Sequence, residues 1–148
     1  MIDKFNRYLP YNSLDPIDLA QFHMLCLENT KNHFSKDSMD HFLNNPFCKI
    51  FFNRFCLGIT QTLQTEAEII TLAVLPNHRN RGIGKKLLRD ILSYLSSSEV
   101  DKVFLEVAMN NHSAITIYKS HGFKSFGVRK NYYQKEKLDA IQMFTSLK

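Results

Sequence analysis

Apolar residues recur every three or four positions over residues 82–97, which is the spacing of one face of an α-helix. The stripe consists of Ile83, Leu87, Leu88, Ile91, Leu92 and Leu95. Three further helices are predicted over residues 16–30, 36–43 and 113–121. Pro16 suits a first helical position, Pro46 stops the second helix, and Gly122 suits the position just after a helix.

Shorter apolar runs predict strands between and after these helices. They cover residues 47–52, 55–60, 66–75, 103–108, 123–129 and 140–147. The first two strands flank Asn53-Arg54 and are expected to form a hairpin. Because strands alternate with helices after this hairpin, the pattern indicates an α/β or α+β fold with a mixed sheet.

The composition narrows the class of protein. The chain has 148 residues, including 12 Phe, and residues 1–148 are expected to form one globular domain. No apolar run approaches the roughly 18 residues of a membrane span. The first seven residues lack the apolar segment of a signal peptide. We therefore expect a cytoplasmic protein without a membrane partner.

Cysteine, histidine and net charge bear on possible ligands. Three irregularly spaced cysteines and six histidines without metal-ligand spacing predict neither a disulfide framework nor a metal site. The net charge of +5 suits an anionic cofactor or a site near nucleic acid, although basic faces are commonly only solvated. We expect no direct role in nucleic-acid binding.

A basic loop with two glycines connects the strand at 66–75 to the helix at 82–97. It contains Arg79, Asn80, Arg81, Gly82, Ile83, Gly84 and Lys85. Unpaired N–H groups and the helix dipole make such a helix start an anion site. Gly82 and Gly84 let a phosphate approach the backbone, and Arg79, Arg81 and Lys85 add positive charge.

The spacing of the loop excludes two common phosphate motifs. No Ser or Thr follows Lys85, which argues against a Walker NTPase, and Lys86-Leu87 replaces the third glycine of a dinucleotide-binding motif. The alternative is an ordinary strand–loop–helix connection with solvated basic residues.

Two motifs resemble the GCN5-related N-acetyltransferase (GNAT) family. The pattern Arg79-x-x-Gly82-x-Gly84 is similar to the family's pyrophosphate loop. Farther along, a strand is followed by Asn111 and by a short helix that carries Tyr118 and ends at Gly122-Phe123, as in a later motif of the family. The resemblance runs from about residue 66 to the C-terminus.

The resemblance implies acetyl-CoA as co-substrate and no metal. It implies a mixed sheet flanked by helices and splayed between the fourth and fifth strands. The backbone of Leu72, Ala73 and Val74 is expected to pair with pantetheine amides. The loop from Arg79 to Lys85 would hold the pyrophosphate, and Asn111 the pantetheine arm or the acceptor.

One bacterial branch of the family, which acetylates the N-terminal alanine of ribosomal protein S18, is more similar still. Leu105-Glu106-Val107 and the segment Arg129-Lys130-Asn131-Tyr132-Tyr133 carry this likeness. It implies Glu106 as general base, Tyr118 as general acid, and Tyr132 and Tyr133 as a wall of the peptide groove. The chain departs from the family at Ala108, where a basic residue is usual, and in its N-terminal third.

The residues themselves support this chemistry but leave alternatives. Acetylation needs a neutral amine, and a positioned carboxylate can accept the proton of an α-amino group with a pKa near 8. Successive side chains of a strand point to opposite faces of the sheet, so Glu106 is expected on the face opposite to Val103, Leu105 and Val107. Glu106 in water or in a salt bridge, Tyr118 as a core residue and Asn111 as a helix cap are the structural alternatives.

The acceptor also stays open at this point. Another protein N-terminus, a polyamine or an aminoglycoside would require the same chemistry. An acidic patch on the acceptor side would favour a polyamine. A catalytically silent CoA-binding module is the alternative from another functional class.

Overall fold

The computed structural model describes residues 7–10, 13–28 and 32–148. The helices are α1 (Pro16–Cys26), α2 (Lys36–Asn44), α3 (Ile83–Ser97) and α4 (His112–Ser120). The strands are β1 (Cys48–Phe52), β2 (Cys56–Leu63), β3 (Glu66–Val74), β4 (Lys102–Ala108), β5 (Lys124–Tyr133) and β6 (Leu138–Ser146). A single 3₁₀ turn, Pro76–His78, follows β3.

The strands form one mixed sheet in the order β1-β2-β3-β4-β6-β5. Among the strands of the described residues, β3 and β4 are the only parallel pair, and they pair from Glu66 and Lys102 to Ile69 and Leu105. A register shift between β2 and β3 leaves Ile70 as a bulge, and β3 diverges from β4 beyond it. The mixed sheet is confirmed.

The splay lies between β3 and β4, the third and fourth strands of the part of the chain that the structure describes. The expected mixed sheet, splayed near its middle and flanked by helices, is therefore present.

The sheet carries a separate apolar core on each face. Helix α3 packs Leu87, Leu88, Ile91 and Leu95 against one face, where α4 adds Tyr118. Helices α1 and α2 cover the other face of β1–β3 with Leu19, Met39 and Leu43. Burying each such leucine contributes about 1.5–3 kcal/mol, so the helices are fixed to the sheet by their apolar stripes.

Helix α1 is shorter than predicted. Asp15 caps it by accepting from the N–H of Ile17 at 2.7 Å, but the helix ends at Cys26 and Glu28 has a left-handed φ of 53°. The predicted end at Thr30 lies outside the described residues. Strands β5 and β6 are longer than predicted because antiparallel pairing continues through their polar ends. None of the described helices has the length and apolar character to cross a membrane.

Candidate active site

The splay opens a gap in the sheet beside residues 70–74 of β3. These residues have no pairing partner on β4, so the edge of β3 that includes Leu72, Ala73 and Val74 faces the gap. At the end of this edge the Val74 carbonyl oxygen accepts from Arg79 Nε at 3.4 Å. The expected splay is therefore present, and the bulge at Ile70 lies where it begins. Backbone amides at such an edge are costly to leave unpaired and suit a ligand that carries its own amide groups.

The glycine loop starts α3 at one end of this gap. Gly82 is the N-cap with φ 79° and ψ 7°, and no side chain caps the helix. Among the described residues nothing accepts from the backbone N–H groups of residues 80–85. Apart from the two adjacent residues, no heavy atom of the described residues lies within 4 Å of the position that a Cβ on Gly82 would take. Open space thus adjoins a row of unpaired donors, which is the arrangement that binds an anion.

Gly84 has a different role from Gly82. A Cβ on Gly84 would lie 3.5 Å from Val74 Cγ2 and 3.8 Å from Ile117 Cδ1. Gly84 therefore brings the first turn of α3 close to both β3 and α4.

The Arg79 side chain turns away from the loop, contrary to the expectation that it adds charge there. Its Nη2 donates to the Cys26 carbonyl oxygen at 2.5 Å, and its Nη1 lies 3.4 Å from Glu28 Oε1. The carbonyl groups at the C-terminal end of α1 attract this cation. Arg81 and Lys85 remain exposed on the loop.

Glu106 lies on β4, beyond the last residue that pairs with β3. Its Oε1 accepts from Arg129 Nη1 at 2.9 Å and from Gln142 Nε2 at 3.4 Å. Its Oε2 is buried and has no hydrogen-bond partner among the described residues. The salt bridge considered above is thus present, but it occupies only one oxygen. A buried acceptor without a donor is costly, so Oε2 is the atom to which an amine or a water would bind.

Glu106 and Tyr118 belong to opposite faces of the sheet. Val103, Leu105 and Val107 pack with α3 and α4, so Glu106 faces the side of α1 and α2. Tyr118 is 6% exposed and lies in the α3–α4 core. The gap between β3 and β4 joins the two faces, so two reactants that enter from opposite sides would meet there.

Three tyrosines of the site have raised pKa values. Burial raises the pKa of Tyr118 above that of a free phenol, and Tyr133 adds to the effect. Burial also raises the pKa of Tyr133 to about 12, with contributions from Tyr132 and Glu106. Burial and the charge of Glu106 raise the pKa of Tyr132. All three hydroxyl groups are therefore protonated at neutral pH.

Tyr132 lines a surface cavity of about 440 Å³ with Arg129, Lys130, Asn131 and Gln134. Arg129 also lines a neighbouring cavity of about 300 Å³ that contains Glu68 and Glu106. Beyond them, Asn32 Nδ2 donates to Glu136 Oε2 at 2.8 Å and joins the α1–α2 and β5–β6 connections. Tyr132 thus borders a cavity, whereas Tyr133 is half-buried behind it.

Asn111 caps α4, because its side-chain oxygen accepts from the N–H of Ala114 at 3.2 Å. The capping alternative is therefore correct, and a contact of Asn111 with a ligand stays a prediction. No group of three His, Cys, Asp or Glu side chains in the described part of the chain is arranged to hold a metal ion.

The sequence did not identify Arg129, Gln142 and Glu68 as parts of the site. Gln142 is the cross-strand partner of Glu106, but 36 residues separate them in the chain. Burial and the charge of Glu106 raise the pKa of Glu68, which indicates that the two carboxylates lie close together. Glu68 belongs to none of the motifs recognised in the sequence.

Comparisons with known proteins agree with this geometry. The model of the acetyltransferase (GNAT) family matches residues 25–123. N-alpha-acetyltransferase RimI of Mycobacterium tuberculosis is 38% identical over 78 residues, which are 53% of this chain and 48% of that protein. The ribosomal protein bS18-alanine N-acetyltransferase of Salmonella typhimurium is 39% identical over 76 residues, 51% of each chain. The chain thus spans about half the length of these curated relatives.

Longer matches support the fold. A Bacillus subtilis protein, provisionally named as a bS18-alanine N-acetyltransferase, is 30% identical over 122 residues, 77% of this chain and 80% of that protein. The crystal structure of the S18-alanine N-acetyltransferase from Escherichia coli superposes with a TM-score of 0.78 at 26% identity, covering 90% of both chains. A NatC complex bound to Gag peptide and CoA has the same fold, with a TM-score of 0.79 at 20% identity over 96% of this chain and 97% of that one.

Proposed function

Because the chain belongs to the acetyltransferase (GNAT) family, we propose that it transfers the acetyl group of acetyl-CoA to a protein N-terminal α-amine. The proposed acceptor is the N-terminal alanine of ribosomal protein S18, which would place the reaction in the cytoplasm. The observation that carries the proposal is the unpartnered Oε2 of Glu106 on β4, just beyond the point at which β3 and β4 separate.

The loop and the gap fit acetyl-CoA. The uncapped N–H groups at the start of α3 suit its pyrophosphate, and the free edge of β3 suits its pantetheine amides. The residues proposed to hold it are Leu72, Ala73, Val74, Asn80, Arg81, Gly82, Ile83, Gly84, Lys85 and Asn111. Arg79 contributes by fixing the loop to α1. When bound, acetyl-CoA supplies an activated thioester carbonyl.

Glu106 and Tyr118 handle the protons of the reaction. Glu106 Oε2 accepts a proton from the acceptor ammonium, directly or through water, so that the neutral amine forms the new C–N bond. The Tyr118 hydroxyl donates a proton to the sulfur as the C–S bond breaks. Burial opposes ionisation of this phenol, but a thiolate in the same apolar surroundings is penalised in the same way.

The charges around the cavities favour a peptide over a polyamine. A polyamine site would gather carboxylates, as in other sites for multiply charged cations. Here Glu68 and Glu106 share their cavity with Arg129, and the adjoining cavity is lined by Arg129 and Lys130. The Tyr132 ring, stacked 5.3 Å from the Arg129 guanidinium, offers an apolar wall to a peptide.

Mass spectrometry of a defined reaction tests the proposal. The purified protein is incubated with acetyl-CoA and a peptide that has the N-terminal sequence of S18 from the same organism, beginning with alanine. One acetyl group on the α-amine is expected. The same peptide with a formylated N-terminus and an internal lysine is the control, and spermidine is the competing acceptor. Acetylation of lysine or spermidine in preference to the α-amine would contradict the proposal.

A further inference from the structure

Glu106, Gln142 and Gly127 lie in one row across the sheet. Gln142 is the register partner of Glu106 on β4 and of Gly127 on β5. Directly paired positions place their side chains on the same face. The Gln142 side chain therefore lies between a carboxylate on one side and a residue without a side chain on the other.

The orientation of the Gln142 amide depends on Gly127. Gln142 Nε2 points to Glu106 Oε1 at 3.4 Å. Its Oε1 lies only 2.7 Å from the position that a Cβ on Gly127 would occupy. Real Cβ atoms do not approach an oxygen so closely, so any larger residue at 127 would displace the amide. Gly127 has an ordinary negative φ, since only Gly82 and Gly122 are glycines with positive φ among the described residues.

Arg129 lies two residues after Gly127 on β5 and contacts the same oxygen of the Glu106 carboxylate. Its Nη1 lies 2.9 Å from Glu106 Oε1, and its guanidinium lies 5.3 Å from the centre of the Tyr132 ring. Two donors thus contact Oε1, whereas Oε2 has no donor within hydrogen-bond distance among the described residues. The Tyr132 hydroxyl also interacts with this carboxylate.

We propose that Gly127 and Gln142 are positioning residues that, with Arg129, fix the rotation of the Glu106 carboxylate so that Oε2 faces the acceptor amine. Gly127 acts only by leaving room for the Gln142 amide, and Gln142 acts only through Glu106. This inference deepens the proposed function and rests on Glu106 being the base.

A double-mutant cycle measures this chain of contacts. Gly127→Ala and Gln142→Ala are each expected to lower kcat for the alanine peptide roughly ten- to hundredfold, because misplacing a catalytic group carries a cost of this size. The affinity for CoA and the melting temperature should change little. In the Gln142→Ala background, Gly127→Ala should have no further effect, because the group that it displaces is absent. Val128→Ala is the matched control, since Val128 is 46% exposed on the same strand.

A second measurement does not depend on turnover. In ¹H–¹⁵N spectra at a single neutral pH the Gln142 side-chain amide resonance should differ between wild type and Glu106→Gln, and this difference should be absent when Gly127→Ala is also present. Glu68 and Arg129 line the same cavity as Glu106, so Glu68→Gln is the control for removal of the second acid. A Gln142 amide resonance that is identical in wild type, Glu106→Gln and Gly127→Ala would overturn the inference.

The outcomes separate the inference from the proposed function. If Glu106→Gln is impaired but the Gly127 and Gln142 variants retain wild-type kcat, or if their losses multiply in the double variant, the positioning role is wrong and the base assignment stands. If wild type does not acetylate the peptide, the proposed function fails, and the amide spectra still decide whether Gln142 contacts Glu106.

Discussion

Replacing Gly82 by Val tests the anion site at the start of α3. The φ of 79° is left-handed, which costs a residue with a Cβ about 1–2 kcal/mol of folding free energy. No steric cost adds to this at the Cβ, because nothing lies within 4 Å of its position. The fold should therefore survive. If a phosphate occupies this open space, the valine side chain excludes it, and CoA affinity should fall at least tenfold, about 1.4 kcal/mol.

Calorimetric titration with CoA measures the effect, and two controls isolate it. Gly122→Ala carries a similar backbone cost at φ 86°, but it lies at the end of α4 and should leave CoA affinity unchanged. Pantetheine lacks the pyrophosphate, so Gly82→Val should bind it as wild type does. Unchanged CoA affinity in Gly82→Val, or an equal loss for pantetheine, would refute the assignment of the loop.

Three further substitutions address the remaining roles. Glu106→Gln should lower kcat roughly 10²- to 10⁴-fold with CoA affinity intact, and wild-type turnover at pH 7 would return Glu106 to a structural role. Tyr118→Phe should keep stability within about 1 kcal/mol and slow the reaction tenfold or more, less so with a donor whose thiol is more acidic. Equal defects for both donors would rule out proton donation. Burial lowers the pKa of His23 to about 4, below its unfolded value of about 6.5. The contribution of His23 to the free energy of unfolding is therefore fully present above pH 6.5 and is lost as the pH falls towards 4. Urea unfolding should show wild type losing about 2 kcal/mol between pH 7 and pH 5. The His23→Gln variant should not show this loss in the free energy of unfolding. An equal loss in both proteins would contradict the role of His23.

Local signals in the sequence predicted the elements that local chemistry determines. The apolar stripe of α3, the Pro16 start of α1 and the glycine after α4 each depend on neighbouring residues, and all three are confirmed. The predicted end of α1 was wrong, because no glycine or proline near Cys26 indicates that the helix stops there. The predicted position of the Arg79 side chain was wrong, because its hydrogen-bond partner Cys26 lies 53 residues earlier in the chain.

The sequence predicted only part of the candidate site, for the same reason. Glu106 and Tyr118 stand in motifs that can be recognised along the chain. The donors that hold Glu106 depend on the pairing of β4 with β6 and of β6 with β5, and these registers are set by packing across the whole sheet. The effect of Gly127 on the Gln142 amide could not be predicted either, because the role of a glycine in an edge strand depends on which residue pairs with it on the next strand.

The intact mass of S18 from cells shows whether the protein acetylates this acceptor. S18 is purified from ribosomes of cells that make the protein, of cells that lack it, and of cells that make only the Glu106→Gln variant. We expect S18 to carry one acetyl group on its N-terminal alanine in the first cells and a free amine in the other two. S18 with the same N-terminus in all three would contradict this expectation.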